Sequence, residues 1–352
     1  MKPTILHIQK LLVRLALLGC VLVFGTVGVQ AQDPHISQFF EAPLLRNPSL
    51  AGLFEGDIRI QGVYRNQWGS VTTPYQTGSF NVEYKQPIGK ANDYITTGVE
   101  VLYDKAGITN FTTSNIYPAL NYHKALSGDK TKYLSLGAMG GYVQRRIDRS
   151  KMTTNSQYGP NGYNPSLPDG ETFSTTNYHY WDGSFGMSFN SSINGSEIDN
   201  YFVGLAYHHF NRPLNSFYKN PPVELQPKLV ASVGARFTAS ETSYITVQAD
   251  ISKQGEYHET IAGATYSLKI GDDYDDPDYI LHLGGYLRWK DAFIPFIKLD
   301  YKPLSLGFSY DANISQLKTA SQGRGGFELS VSYAGFLDRG NSTKDAVVCP
   351  RF

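Results

Sequence analysis

The chain has 352 residues, with 31 Lys+Arg against 31 Asp+Glu and a formal net charge of zero. That balance excludes the basic surface a nucleic-acid partner would call for. Charged residues are 18%, below the roughly 25% of soluble domains, while Tyr reaches 25 and Gly 34. Beyond the amino terminus no apolar run approaches the about 20 residues a membrane helix needs. Few charges, many Tyr and Gly, and no such run point to an all-β chain that meets lipid.

Residues 1–31 carry Lys2, Lys10 and Arg14, no acid, and an apolar stretch from Leu15 to Val29. With Val29-Gln30-Ala31 as an A-x-A-like site, this is the pattern of a secretory signal peptide cleaved after Ala31. Leu17-Leu18-Gly19-Cys20 has the look of a lipobox, but apolar residues continue past Cys20, where a lipidated cysteine needs a polar linker. Without the leader, Cys349 is the only thiol, so no intramolecular disulfide can form. Residues 32–56 contain Phe39, Phe40, Leu44, Leu45 and Leu53 without strand alternation, and are expected to form an N-terminal plug or a periplasmic segment.

From residue 57 the dominant period is two, the signature of strands. Ile58, Ile60, Gly62 and Tyr64 alternate with Arg59, Gln61, Val63 and Arg65; Ile245, Val247, Ala249 and Ile251 alternate with Thr246, Gln248, Asp250 and Ser252. The same reading predicts strands at 57–68, 74–85, 93–104, 110–124, 132–146, 178–190, 199–209, 226–239, 242–253, 256–270, 278–290, 291–302, 303–312 and 325–336. Runs of about 10–14 residues far exceed the about 5–6 of soluble sheets. Tilted about 40°, ten residues cover roughly 25 Å, the height of an outer-membrane apolar band. Tyr and Trp fall near strand ends, as interfacial girdles require. The three longest gaps, 147–177, 210–225 and 313–324, all follow odd-numbered strands, the loop asymmetry of outer-membrane barrels. The expected fold is therefore all-β: a transmembrane antiparallel up-and-down β-barrel of about fourteen strands over 57–336. Its apolar face meets lipid, and Arg59, Arg65, Glu83, Lys85, Glu100, Arg145 and Arg236 face the lumen. An even strand count returns the tail, 337–352, to the periplasm, where Val347, Val348 and Phe352 are expected to dock.

Candidate chemistry is sparse. The chain contains no P-loop, HExxH, GxSxG or CxxC. His208 and His209 are adjacent, so on a strand they should point to opposite faces and share no metal. The acidic run Asp272-Asp273, Asp275-Asp276 and Asp278 offers oxygen ligands for calcium but lacks the EF-hand Gly and Glu, and reads as a solvated turn. No catalytic, cofactor or metal residues are assigned.

The segment Gln32-Asp33-Pro34-His35-Ile36-Ser37-Gln38-Phe39-Phe40 leads to Asn47-Pro48-Ser49-Leu50-Ala51-Gly52, then Tyr64-Arg65-Asn66-Gln67-Trp68 and Pro74-Tyr75. Asn211-Arg212-Pro213 with Ser216-Phe217, Tyr310-Asp311 with Asn313-Ile314, and the ending Cys349-Pro350-Arg351-Phe352 follow. Together these resemble the PorP/SprF family of type IX secretion system outer-membrane proteins of Bacteroidetes. The resemblance implies a barrel that supports secretion or surface retention of cargo with a C-terminal sorting domain, often a gliding adhesin. It also implies contact with periplasmic ring or motor components, and neither enzyme activity nor a cofactor. Candidate partner contacts are Phe39, Phe40, Asn47 and Pro48 in the N-terminal segment, Tyr158 and Tyr163 in the longest loop, and Cys349 and Phe352 in the tail. The alternative is a diffusion porin or hydrophobic-solute channel; a soluble secreted β-sandwich or propeller is a weaker third.

Overall fold

The structure, a computed structural model, describes residues 33–338 except 70, 71, 90, 91, 174, 197, 219–221 and 317. The expected leader and the tail from 339 onward, with Cys349 and Phe352, lie outside the described residues.

Fourteen long strands close into one antiparallel barrel. They are β1 (Ile58–Gln67), β2 (Tyr75–Ile88), β3 (Asp93–Ala106), β4 (Phe111–Ala125), β5 (Lys132–Arg146), β6 (Asn177–Ser192) and β7 (Asn200–His208). The ring continues through β8 (Lys228–Ser240), β9 (Ser243–Gln254), β10 (Tyr257–Ile270), β11 (Tyr279–Arg288), β12 (Ala292–Tyr301), β13 (Leu304–Asn313) and β14 (Arg324–Gly335). Each strand pairs with its sequence neighbours, and β1 closes the ring on β14 from Ile58↔Gly335 to Gln67↔Gly326. Closure removes every open edge, the condition lipid imposes on a sheet. Pro118 in β4 and Pro295 in β12 have no N–H, and the β4–β5 and β12–β13 ladders each skip pairs there.

The burial pattern inverts that of a soluble protein. Outward positions such as Leu136, Leu205, Val247, Ile251, Leu306 and Val331 are exposed, while Arg59, Glu83, Lys85, Glu100 and Arg145 are buried inside. Apolar groups on the outside are in contact with their preferred solvent only if that solvent is lipid.

The two ends of the barrel differ. Connections 147–176, 209–227 and 314–323 follow β5, β7 and β13 at one end, the loop end. The opposite, turn end carries only the connections 89–92, 126–131, 193–199, 241–242, 271–278 and 302–303. At the loop end, Arg149 donates to Asp169 at 2.8 Å and lies 4.8 Å over the Phe173 ring, which packs on Phe217. Phe217 in turn meets Tyr178 edge-on at 4.8 Å, so the two longest loops pack on each other.

Candidate functional site

Residues 33–56 pass through the lumen as a strap of short turns: Phe39–Glu41, Pro43–Arg46 and Pro48–Leu50. Two prolines and the Asn47 side chain, which accepts from the Ser49 N–H at 2.9 Å, shape these turns locally. None is long enough to be stable alone, so wall contacts must hold them.

The contacts run from one end of the barrel to the other. At the loop end, Asp33 accepts from His209 Nε2 at 2.8 Å, and its own N–H donates to Gln254 Oε1 at 3.2 Å. Next, the Glu328 carboxylate receives two successive backbone amides, Ser37 at 2.6 Å and Gln38 at 2.7 Å. Arg65 ties Glu328 to Asp311, which it meets at 2.8 Å, and Arg288 reaches the same aspartate at 3.2 Å. Charges buried this deeply are tolerable only when paired, and here each finds an opposite charge. Midway, Arg46 binds both oxygens of Asp250 and donates to Gln248 at 2.9 Å, its guanidinium 4.7 Å from the Phe39 ring centroid. Lys298 and Gln61 both donate to Glu41, at 2.8 and 2.9 Å. Toward the turn end, Asn121 donates to the carbonyls of Ser49 and Ala51, Glu83 accepts from the Gly52 N–H, and Lys85 donates to the Phe54 carbonyl.

Glycines make room for this passage. A Cβ on Gly137 of β5 would stand 2.5 Å from the Pro48 carbonyl and the Ser49 nitrogen. Its register partner Gly186 of β6 faces Asn47 at a similarly impossible approach. The strap thus lies directly on the wall where β5 and β6 carry no side chain, its backbone on Gly137 and the Asn47 side chain on Gly186.

His208 and His209 depart from the sequence expectation. Both are buried on the lumen side, because β7 ends at His208 and His209 takes φ 56°, turning its ring inward. Their partners are separate. His208 meets Ser184 Oγ at 3.0 Å and the Arg46 carbonyl at 3.3 Å. His209 sits between Asp182 and Asp33, at 2.7 and 2.8 Å. Two carboxylates on one ring require both nitrogens to carry protons. Burial opposes that charge, but Asp33 and Asp182 outweigh it and push the His209 pKa up to about 9.

The residues singled out from sequence fall in different places. Phe39, Asn47 and Pro48 are buried against the wall and as folded are not presented to an outside partner. Phe40 is half-buried; its ring lies 5.0 Å from Phe296 and 5.1 Å from Tyr286, and it lines a cavity of about 1030 Å³. This cavity is bounded at the turn end by Asp275, Asp276 and Pro303. The acidic turn lies at this rim, with Asp276 paired to Lys302. Tyr158 and Tyr163 are exposed, their rings 5.6 Å apart across a small hairpin in the longest loop. Sequence reasoning did not single out Arg46, Asp250, Arg288 or Glu328. The available signal was a set of opposite charges on lumen faces, without an indication of which would meet.

A family model described as "Type IX secretion system membrane protein PorP/SprF" matches residues 28–333. No curated protein sequence matches the chain. Among solved structures, the toluene transporter TbuX of Ralstonia pickettii is similar at 8% identity, covering 83% of this chain and 92% of its own, with a TM-score of 0.49. The toluene transporter TodX of Pseudomonas putida is similar at 12% identity, covering 83% and 92%, with a TM-score of 0.47. The translocator domain of the autotransporter NalP from Neisseria meningitidis is similar at 10% identity, covering 84% and 96%, with a TM-score of 0.40.

Proposed function

Because the chain belongs to the PorP/SprF family of type IX secretion system membrane proteins, we propose that it supports secretion or surface anchoring of cargo proteins bearing C-terminal sorting domains, as a non-enzymatic barrel. It is an integral protein of the outer membrane. The observation that carries this reading, over that of a diffusion porin, is the lumen itself. A strap held by ion pairs at Asp33, Glu41 and Arg46 and by hydrogen bonds to wall side chains runs through it from end to end. A diffusion porin needs a continuous aqueous path, and residues 33–56 act as a plug across it.

The two mouths then serve different partners. The exposed Tyr158–Tyr163 hairpin at the loop end suits cargo, since tyrosines give large rigid contacts at low entropic cost. The turn-end cavity, with Phe40 in its wall, suits a periplasmic ring or motor component.

Secretion tests the reading. In a host lacking this protein, a reporter fused to a C-terminal sorting domain should accumulate in the periplasm. The wild-type chain should restore export, and Tyr158→Ala/Tyr163→Ala should restore it only partly. Normal export without the protein would end the proposal.

A further inference from the structure

We infer that the amino-terminal end of the folded chain opens on the cell-surface side of the outer membrane, while the chain leaves β14 on the periplasmic side. An even-stranded barrel ordinarily keeps both ends of its sheet on the periplasmic side. The sheet here obeys that rule: Asp57, before β1, and Leu337, after β14, meet at the turn end through the Leu337 N–H. Residues 33–56 reverse it for the amino end, because they travel the full height of the barrel before β1 begins.

The direction of travel follows from which strand ends the strap touches. Asp33 contacts Gln254, the last residue of β9, and His209, just beyond β7. It also lies 3.8 Å from Lys228, the first residue of β8. All three positions are at the loop end. Twenty-three residues later Gly56 packs against Gly335, the last residue of β14, at the turn end. Long connections mark the extracellular side of such barrels and short turns the periplasmic side. Asp33 therefore faces outward.

The polarity is chemically fixed. The Ser37 and Gln38 amides need the Glu328 carboxylate and Arg46 needs Asp250, both in the loop-end half of their strands, and the Gly52 amide needs Glu83, nearer the turn end. Running the strap the other way would leave Asp250 without Arg46 and Glu328 without the Ser37 and Gln38 amides. The strap is thus a covalent line between the two faces of the membrane. A group joined to its amino end would be displayed on the same side of the membrane as the Tyr158–Tyr163 hairpin. This inference does not depend on the cargo role.

Cysteine accessibility tests it. In a Cys20→Ala/Cys349→Ser background, three single variants are compared: Pro34→Cys, Tyr158→Cys at the loop end and Asp338→Cys at the turn end. A membrane-impermeant maleimide on intact cells should label Pro34→Cys and Tyr158→Cys, and should lose access to Asp338→Cys until the outer membrane is permeabilised. Labelling of Pro34→Cys only after permeabilisation would overturn the inference. Should Pro34→Cys stay unlabelled in both conditions, an epitope tag inserted between Gln32 and Asp33 decides the side. Antibody binding to intact cells supports the inference. Binding only to permeabilised cells overturns it, provided that Tyr158→Cys in the tagged chain still labels from outside.

Discussion

His209 holds the amino end of the strap through a charge that titrates. Its ring is flanked by Asp33 and Asp182, with Lys228 close to Asp33 and the Tyr117 hydroxyl donating to Asp182. The folded pKa of about 9 lies above the ordinary histidine value of 6.5. Stabilisation from this charge is therefore complete below pH 6.5 and is lost as pH rises through 9. His209→Asn tolerates the left-handed backbone but cannot be charged. Thermal unfolding in detergent should show wild type more stable than His209→Asn at about pH 6, with the gap closing by about pH 9.5. A gap that is constant with pH would show that the ring is not charged there. Arg46 makes the complementary case, for a group whose partner cannot leave. Arg46→Ala strands the Asp250 carboxylate and should cost about 3–5 kcal/mol. The double variant Arg46→Met/Asp250→Leu should recover most of that loss, because an apolar pair removes the buried charge along with its partner. Urea unfolding in micelles of the single and double variants checks both.

Strands and strap differ in how far they can be read from the chain. A barrel strand writes its two faces into consecutive residues, so β5 falls at 132–146 by alternation alone and in the structure. Val247 and Gln248 likewise take the expected outer and inner faces. Val247→Arg should therefore impair assembly, at about 2–4 kcal/mol near the midplane. By alternation alone Gln248→Arg is tolerated in a polar lumen. The structure replaces that expectation, because Gln248 accepts a hydrogen bond from Arg46 and a second cation there would repel it. Gln248→Glu keeps the acceptor and should assemble normally; heat-modifiable migration on gels reads all three variants. The strap, by contrast, has no period. Its partners lie far away in sequence, as far as 291 residues between Ser37 and Glu328, and no local pattern records such a meeting. The same limit explains His209: the strand ends one residue earlier than alternation suggests, and the turn places both rings inside. The residues behind the family resemblance nonetheless include strap-seating groups, Ser37, Gln38, Asn47, Arg65 and Asp311. Gly137 and Gly186 carry the element-scale test. Gly186→Val should unseat the strap while leaving the fourteen-strand ladder paired, because the clash is with Asn47 and not with a neighbouring strand alone. Trypsin should then cut after Arg46 in the variant and spare it in wild type. Equal protection in both would mean that the strap does not rest on this wall.

At the scale of the whole molecule, the barrel supplies a closed sheet that satisfies its own hydrogen bonds in lipid, and the strap supplies an interior. Fourteen strands fall between small barrels filled by side chains and the sixteen to eighteen of open porins. An unfilled lumen of that size, lined by charges, would admit water and ions. Polar groups of the strap meet polar groups of the wall, and a cavity of about 1030 Å³ lies at the turn end. This arrangement suits a component that presents two faces to two compartments more than one that lets solutes pass. Conductance across a planar bilayer tests that claim most directly. The full chain should insert without a steady open channel, and deletion of residues 33–52 should open one, since the wall charges would then face water. A steady open channel in the full chain would contradict a lumen closed by its own strap.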